Sequence, residues 1–287
     1  MNETIRIPVM NFDGAQVYGL IEIDDPDDLI QKRILETKDF YERPLLDALA
    51  SFTAPGGVFI DVGANIGNHS VYMGVARDAR IIAIEPNQAN FRRLQRNLEL
   101  SMPSSRFTAL NCAVGAEEGH VRSLIGGSSN TGGAKIGETT PNDQDAVPLV
   151  RLDKLFEEVR LPDSTPVIIK IDVEGMEADV FSGMEGTLVA HRPAVVCEIN
   201  GDASFVAISR MLKKHQYFVY GCFLKVATLV FLPVERLVEL ASGVSEMSWK
   251  TGRSYVHYCD VFRANALTRR KLGEIEQRVD AIKKILG

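Results

Sequence analysis

The densest concentration of chemically meaningful residues is Val58-Phe-Ile-Asp-Val-Gly-Ala-Asn-Ile-Gly67. An apolar run enters a glycine-containing turn, and a helical pattern follows. In open α/β sheets ligands sit beyond the carboxyl ends of the strands, where such turns lie. Glycine there lets the backbone approach a ligand with no Cβ in the way. The next apolar run, Arg80-Ile-Ile-Ala-Ile-Glu85, ends in an acid about 20 residues on, the place from which a carboxylate accepts hydrogen bonds from ribose hydroxyls. Two later runs also carry acids at their ends: Asp172, with Glu174 just beyond it, and Glu198. Neighbouring strand ends in such a sheet face one crevice, so these acids are available for proton transfer. Their hard oxygens could also offer sites to Mg²⁺. No dedicated ligand spacing is visible, so no metal is expected.

Charge separates the candidate nucleotides. A dinucleotide site wants G-x-G-x-x-G, which lets two close approaches accommodate a pyrophosphate. Here the pattern is Gly63-Ala64-Asn65-Ile66-Gly67, followed by Asn68, and the later glycines of that fingerprint are missing. Asp61 would add negative charge where a pyrophosphate should lie. S-adenosylmethionine has no phosphate and carries an ammonium and a sulfonium, so an acid there suits it. A nicotinamide-dependent oxidoreductase is the rival on this point. A turn whose glycines only permit packing is the plain alternative, and Asp61 before the turn with Glu85-Pro86 after it argues against that.

The elements that must hold these residues follow from periodicity. Ile5–Phe12 and Gln16–Ile23 alternate and are joined through Asp13-Gly14, a hairpin pattern. The acidic stretch Asp24-Asp25-Pro26-Asp27-Asp28 can cap a helix over Leu29–Thr37, and a second helix runs from Pro44 to Phe52. From Val58 short apolar runs alternate with helical stretches. The strands expected are Val58–Val62, Arg80–Glu85, Phe107–Cys112, Val167–Asp172 and Ala194–Ile199. The helices expected are Asn68–Ala76, Gln88–Leu100, Met176–His191 with a break near Gly183, and Ser204–His215. This is the pattern of an α/β, doubly wound, mostly parallel sheet. Val121–Ile125 and Val147–Leu152 add strand-like pieces, while Val226–Leu232 and Tyr255–Phe262 should finish the sheet antiparallel. Gly126–Asp145 has no apolar period and reads as a long mobile loop, either a lid or a surface insertion.

Composition narrows the class. The chain has 287 residues, 45% hydrophobic and 24% charged, with formal charge −6. That supports a sizeable core and rules out intrinsic disorder. Net acidity disfavours gripping nucleic acid by its phosphates. No apolar run approaches the roughly 18 residues of a membrane span, and the amino terminus lacks a basic and then apolar leader. Cys112, Cys197, Cys222 and Cys259 form no close pair, which fits neither a disulfide framework nor a zinc site. A soluble cytoplasmic protein is expected.

With these residues in place, the sequence resembles the FkbM family of S-adenosylmethionine-dependent methyltransferases. The matching stretches are Phe59–Gly67, Ala83-Ile-Glu-Pro86, Asn111-Cys-Ala-Val-Gly115, Val150-Arg-Leu-Asp153, Ile169-Lys-Ile-Asp-Val-Glu-Gly-Met-Glu177 and Arg192-Pro-Ala-Val-Val-Cys-Glu198. The resemblance implies a class I methyltransferase (Rossmann-like) fold, S-adenosylmethionine as donor, and transfer to a hydroxyl of a sugar, glycan or secondary metabolite. By position it implies that Asp61, Gly63, Asn65 and Gly67 form the donor-binding turn. Glu85 then binds the ribose, while Asn111, Cys112 and Ala113 border the adenine. Asp172 is the acid beside the reactive methyl, and Glu42, after Tyr41, resembles a lead-in acid that reaches the donor. The base is Asp172 or Glu198, with Glu174 beside them. Their plainer readings are structural: Glu174 capping the next helix, and Glu198 paired with Lys170 or Arg192. N-methylation of a small amine and a non-catalytic donor-binding subunit are the alternatives.

Three parts are expected: a hairpin and helical cap (1–56), a methyltransferase domain (57–265) and a C-terminal helix (266–287). In that helix Leu272, Ile275, Val279, Ile282 and Leu286 make a seam of barely two heptads. It docks on its own domain or pairs with a second copy as a homodimer. His69, just after the turn, either touches a ligand or is an ordinary first-turn residue.

Overall fold

The computed structural model describes residues 3–124, 135–140, 143, 145–159, 165–199, 202–223 and 228–236. The expected C-terminal helix, the Tyr255–Phe262 strand, Cys259 and most of the Gly126–Asp145 segment lie outside them.

The chain opens with β1 (Glu3–Met10) and β2 (Gln16–Ile23), paired antiparallel with Met10 opposite Gln16. Alternation turns Ile5, Ile7, Val9, Ile21 and Ile23 inward. Helix α1 (Leu29–Thr37) starts at Asp28, whose side chain accepts from the Ile30 and Gln31 N–H groups at 3.1 Å each. Such a cap contributes about 1 kcal/mol. Helix α2 (Arg43–Phe52) has Pro44 in its first turn.

The alternating part follows: β3 (Val58–Val62), α3 (Asn68–Arg77), β4 (Arg80–Ile84), α4 (Gln88–Ser101) and β5 (Phe107–Leu110). A smaller four-stranded sheet interrupts it, made of β6 (Ala113–Val114), β7 (Gly119–Leu124), β8 (Lys135–Glu138) and β9 (Ala146–Val150) in the order β6-β9-β7-β8. Then come α5 (Leu152–Val159), β10 (Val167–Ile171), α6 (Glu177–Ser182), α7 (Glu185–Ala190), β11 (Ala194–Glu198), α8 (Asp202–Lys214), β12 (Tyr217–Phe223) and β13 (Thr228–Pro233).

The main sheet has seven strands in the order β12-β13-β11-β10-β3-β4-β5. Strands β11, β10, β3, β4 and β5 are parallel neighbours. Strand β13 pairs antiparallel with both β11 and β12, so it alone runs against the rest. The fold is the expected doubly wound α/β sheet. Strand order departs in opposite directions from β3 and β10, which opens a crevice at their carboxyl ends.

Both sheet faces are covered. One carries Phe59, Ile81, Ala83, Ile168 and Val196 and packs against α3, α4 and the N-terminal hairpin and helices in a single core. The other carries Val58, Ile60, Val62, Ile169 and Ile171 and packs against α5 to α8.

Besides the two-residue β6, which was not expected, two strands depart from expectation. Lys135–Glu138 lies within the expected loop, yet it pairs antiparallel with β7; a partner strand supplies backbone bonds to a segment with no apolar period. Strand β12 follows α8 after only His215 and Gln216, with Gln216 at φ 58° in place of the Gly or Pro that would announce a turn.

Candidate active site

A cavity of about 320 Å³ opens at the carboxyl ends of the central strands, within the size of small-molecule sites. Its floor is the turn after β3. Gly63 has φ +81°, and a Cβ there would fall 1.8 Å from the Asp172 carbonyl oxygen, so only glycine lets this turn meet the end of β10. The Asn65 and Asn87 N–H groups donate to the two carboxylate oxygens of Glu85, each at 2.8 Å. Glu85 thereby staples the turn to the end of β4 and keeps a lone pair on each oxygen. It is 6% exposed. Burial raises its pKa to about 7, against the pull of the two backbone bonds.

Of the expected donor residues, Glu42, Gly63, Asn65, Glu85, Cys112, Ala113 and Asp172 line this cavity, together with Glu174 and Glu198. Burial pushes the Cys112 thiol up to about 12, so it packs as a neutral group. Three residues are placed elsewhere. Gly67 caps α3 and abuts Leu94, where a Cβ would lie 2.8 Å from Leu94 Cδ1. The Asn111 side chain donates to the Glu85 and Pro86 carbonyls at 2.8 and 3.1 Å, holding the chain after β4. Asp61 is fully buried under α3, because strand alternation puts it on the same face as Phe59.

Asp61 is also not a free negative charge. Its Oδ2 accepts from Ser70 Oγ at 2.7 Å, and its Oδ1 lies 3.4 Å from Lys170 Nζ. Lys170 and Asp61 are register partners on adjacent strands, and Nζ also reaches Asp172 Oδ2 at 3.2 Å. Burial alone would lower the Lys170 pKa, but Asp172, Asp61 and Glu42 outweigh it and the net shift is upward. The acidity expected of the crevice therefore comes from Glu42, Glu85, Asp172, Glu174 and Glu198, with Asp61 neutralised beneath them.

The Arg192 pairing expected of Glu198 is corrected as well. Helix α6 begins after Met176 with no side-chain cap, and Glu174, at φ 53°, faces the cavity. Glu198 is not Arg192's partner: Arg192 Nη2 donates to Glu235 Oε2 at 2.8 Å. Lys170 is engaged with the two aspartates. Burial, together with the charges of Asp172, Glu42 and Glu174, raises Glu198 to about 7, with Lys170 opposing. Burial also raises the Tyr41 phenol, helped by Glu42, Glu198 and Asp172.

With the geometry in view, residues 61–219, more than half of the chain, match the Methyltransferase FkbM domain. The chain belongs to the FkbM methyltransferase family. Methyltransferase 1 of Beauveria bassiana is 28% identical over an alignment of 165 positions that covers 50% of this chain and 66% of that protein. Hexuronic acid methyltransferase AglP of Haloferax volcanii is 24% identical over 173 residues, 60% of this chain and 68% of that one. A crystal structure of methyltransferase FkbM from Methylobacillus flagellatus is similar with a TM-score of 0.44 at 17% identity, covering 73% of this chain and 61% of that one. The chain spans less than two thirds of the Beauveria protein and of the Methylobacillus chain.

Within this FkbM domain, sequence reasoning missed Lys170 as a site residue, although a lysine inside the apolar run Val167–Ile171 was a visible sign of a buried acid partner. It also missed Leu29, Ile30 and Asn68, which line the cavity from the N-terminal segment and α3. Only packing brings them there. Among the described residues no group of three or more His, Cys, Asp or Glu is arranged to hold a metal ion, and no helix is long and apolar enough to cross a membrane.

Proposed function

We propose that this FkbM chain transfers a methyl group from S-adenosylmethionine to a hydroxyl of a sugar, glycan or secondary metabolite. The observation that carries the reading is Glu198: a partly buried carboxyl, raised to about 7, in the same cavity as the glycine turn and its Glu85 staple. The residues fit the donor. Glu85 offers two lone pairs to ribose hydroxyls, Cys112, Ala113 and Val114 offer an apolar border for adenine, and the acids suit a cationic ligand. The buried Asn65 Oδ1, which has no hydrogen-bond partner, is a further acceptor at the turn.

When bound, S-adenosylmethionine supplies an electrophilic methyl on a sulfonium. An alcohol is a poor nucleophile until its proton leaves, and Glu198 is the group whose pKa near neutrality suits it to take that proton. Asp172, held by Lys170 at 3.2 Å, keeps a fixed carboxylate beside it and orients the reacting partners. The kinship to a protein named for hexuronic acid methylation supports a sugar acceptor. Incubation with methyl-labelled donor and a panel of sugars, glycosides and polyketides tests the reading. Label on an acceptor oxygen is expected. Label on nitrogen, or on no acceptor while the donor binds, overturns it.

A further inference from the structure

Ionised acids can only accept hydrogen bonds, so a hydroxyl oxygen brought among Glu42, Asp172, Glu174 and Glu198 finds no partner there for its lone pairs. Among the described lining residues, the side chains able to donate are mostly engaged. Lys170 is taken up by Asp61 and Asp172. His69 Nε2 is buried and stands 3.3 Å from Glu42 Oε2. Asn68 Nδ2 donates to the Tyr41 carbonyl at 2.9 Å. Asn65 and Asn90 belong to the β4 side, the first bonded through its N–H to Glu85 and the second in α4. That leaves the Tyr41 phenol.

Tyr41 is held in place. Asn68 grips its backbone from both sides, since Oδ1 accepts from the Tyr41 N–H at 3.0 Å while Nδ2 takes the carbonyl. Asn68 is the first residue of α3 and buried, so the grip fixes Tyr41 relative to the turn that ends at Gly67. The ring is half-buried against the core that includes α1 and α3, and the phenol makes no hydrogen bond to a described residue. The charges of Glu198 and Asp172 reach it from the ends of β11 and β10, and that of Arg33 from α1. The phenol therefore stands by Glu198, away from Glu85 at the end of β4. Burial and the neighbouring carboxylates keep it protonated, which is the form that donates.

We propose that Tyr41 orients the acceptor, its phenol O–H donating to the hydroxyl oxygen that Glu198 deprotonates. This rests on the reading that the acceptor group is a hydroxyl and that Glu198 is its base. The proton of that hydroxyl passes to the Glu198 carboxylate. One oxygen lone pair forms the new O–C bond while the electron pair of the breaking C–S bond returns to sulfur. The other lone pair accepts from Tyr41, which keeps its own proton. With the proton held by Glu198 and one lone pair held by Tyr41, the remaining lone pair has a fixed direction, and aiming it at the methyl is what an in-line displacement requires. The same bond steadies the negative charge that gathers on the oxygen as its proton leaves.

Tyr41→Phe keeps the ring and its packing and removes only the O–H. With the acceptor that takes label from the panel of sugars, glycosides and polyketides, kcat should fall about 10–100-fold while the acceptor KM stays within about threefold. Calorimetric binding of S-adenosylhomocysteine should stay within about twofold of wild type, which also reports a folded cavity. A kcat within about twofold of wild type overturns the inference, and so does a change confined to KM. A loss of S-adenosylhomocysteine affinity equal to the loss in kcat also overturns it, because Tyr41 would then serve the methyl donor. Label on nitrogen, or on no acceptor while S-adenosylhomocysteine binds, overturns the hydroxyl reading itself, and this inference with it.

Discussion

Glu85→Ala removes a carboxylate that does two jobs, and the two can be read apart. The first is donor binding. A charge-assisted hydrogen bond to ribose is worth about 1.5–3 kcal/mol, so the variant should bind S-adenosylhomocysteine about 10–100-fold more weakly by calorimetry. The second is stability. The carboxyl rises from 4.5 to about 7 on folding, chiefly through burial. The folded state therefore holds this proton more tightly than the unfolded one, and stability falls as pH rises from about 4.5 to about 7. The shift corresponds to about 3 kcal/mol. Against this, the substitution orphans the Asn87 N–H at a residue only 5% exposed, which costs about 1–3 kcal/mol; the Asn65 N–H can turn to water in the cavity. The variant should thus be less stable than wild type at pH 5 by about 1–3 kcal/mol and level with it or slightly better at pH 8. Denaturant unfolding at both pH values, read as wild type minus variant, isolates Glu85 from other titrating groups. A difference that does not change with pH, or undiminished ligand binding, would refute the reasoning.

Other perturbations follow from the same geometry. In the protonated form Glu198 cannot accept a proton, so kcat/KM should rise about tenfold per pH unit below about pH 7 and level off above it. Glu198→Gln should lose about 10²–10⁴-fold in rate; a flat wild-type profile between pH 5.5 and 8 would remove it as base. Asp172→Asn should cut turnover far more than donor affinity, and by deleting the largest neighbouring charge it should move the Glu198 inflection to lower pH; equal losses in kcat and in donor Kd would contradict its placement beside the reacting atoms. Lys170→Met leaves the fully buried Asp61 without its cation and should cost about 3–5 kcal/mol in chemical denaturation. Adding Asp61→Asn should restore most of that, and a double variant as unstable as the single one would count against the ion pair.

Much of the fold was legible from local pattern. The strand–turn–helix at Val58–Gly67, the cap at Asp28 and the alternation of the hairpin each depend on residues close in sequence, whose periodicity and turn chemistry leave few conformations open. The carboxylates Glu85, Asp172 and Glu198 could be placed at one crevice for the same reason, since each ends a strand and parallel strands end together. Which way a strand-end acid faces is another matter. Strand alternation, combined with the choice of which face α3 covers, turned Asp61 from an expected ligand contact into the buried partner of Lys170. Asn68 reaching back to Tyr41 and β8 pairing with β7 are contacts over long sequence separations or across chain with no apolar period. Their hydrogen bonds exist only once distant segments have packed, so the tertiary structure alone decides them.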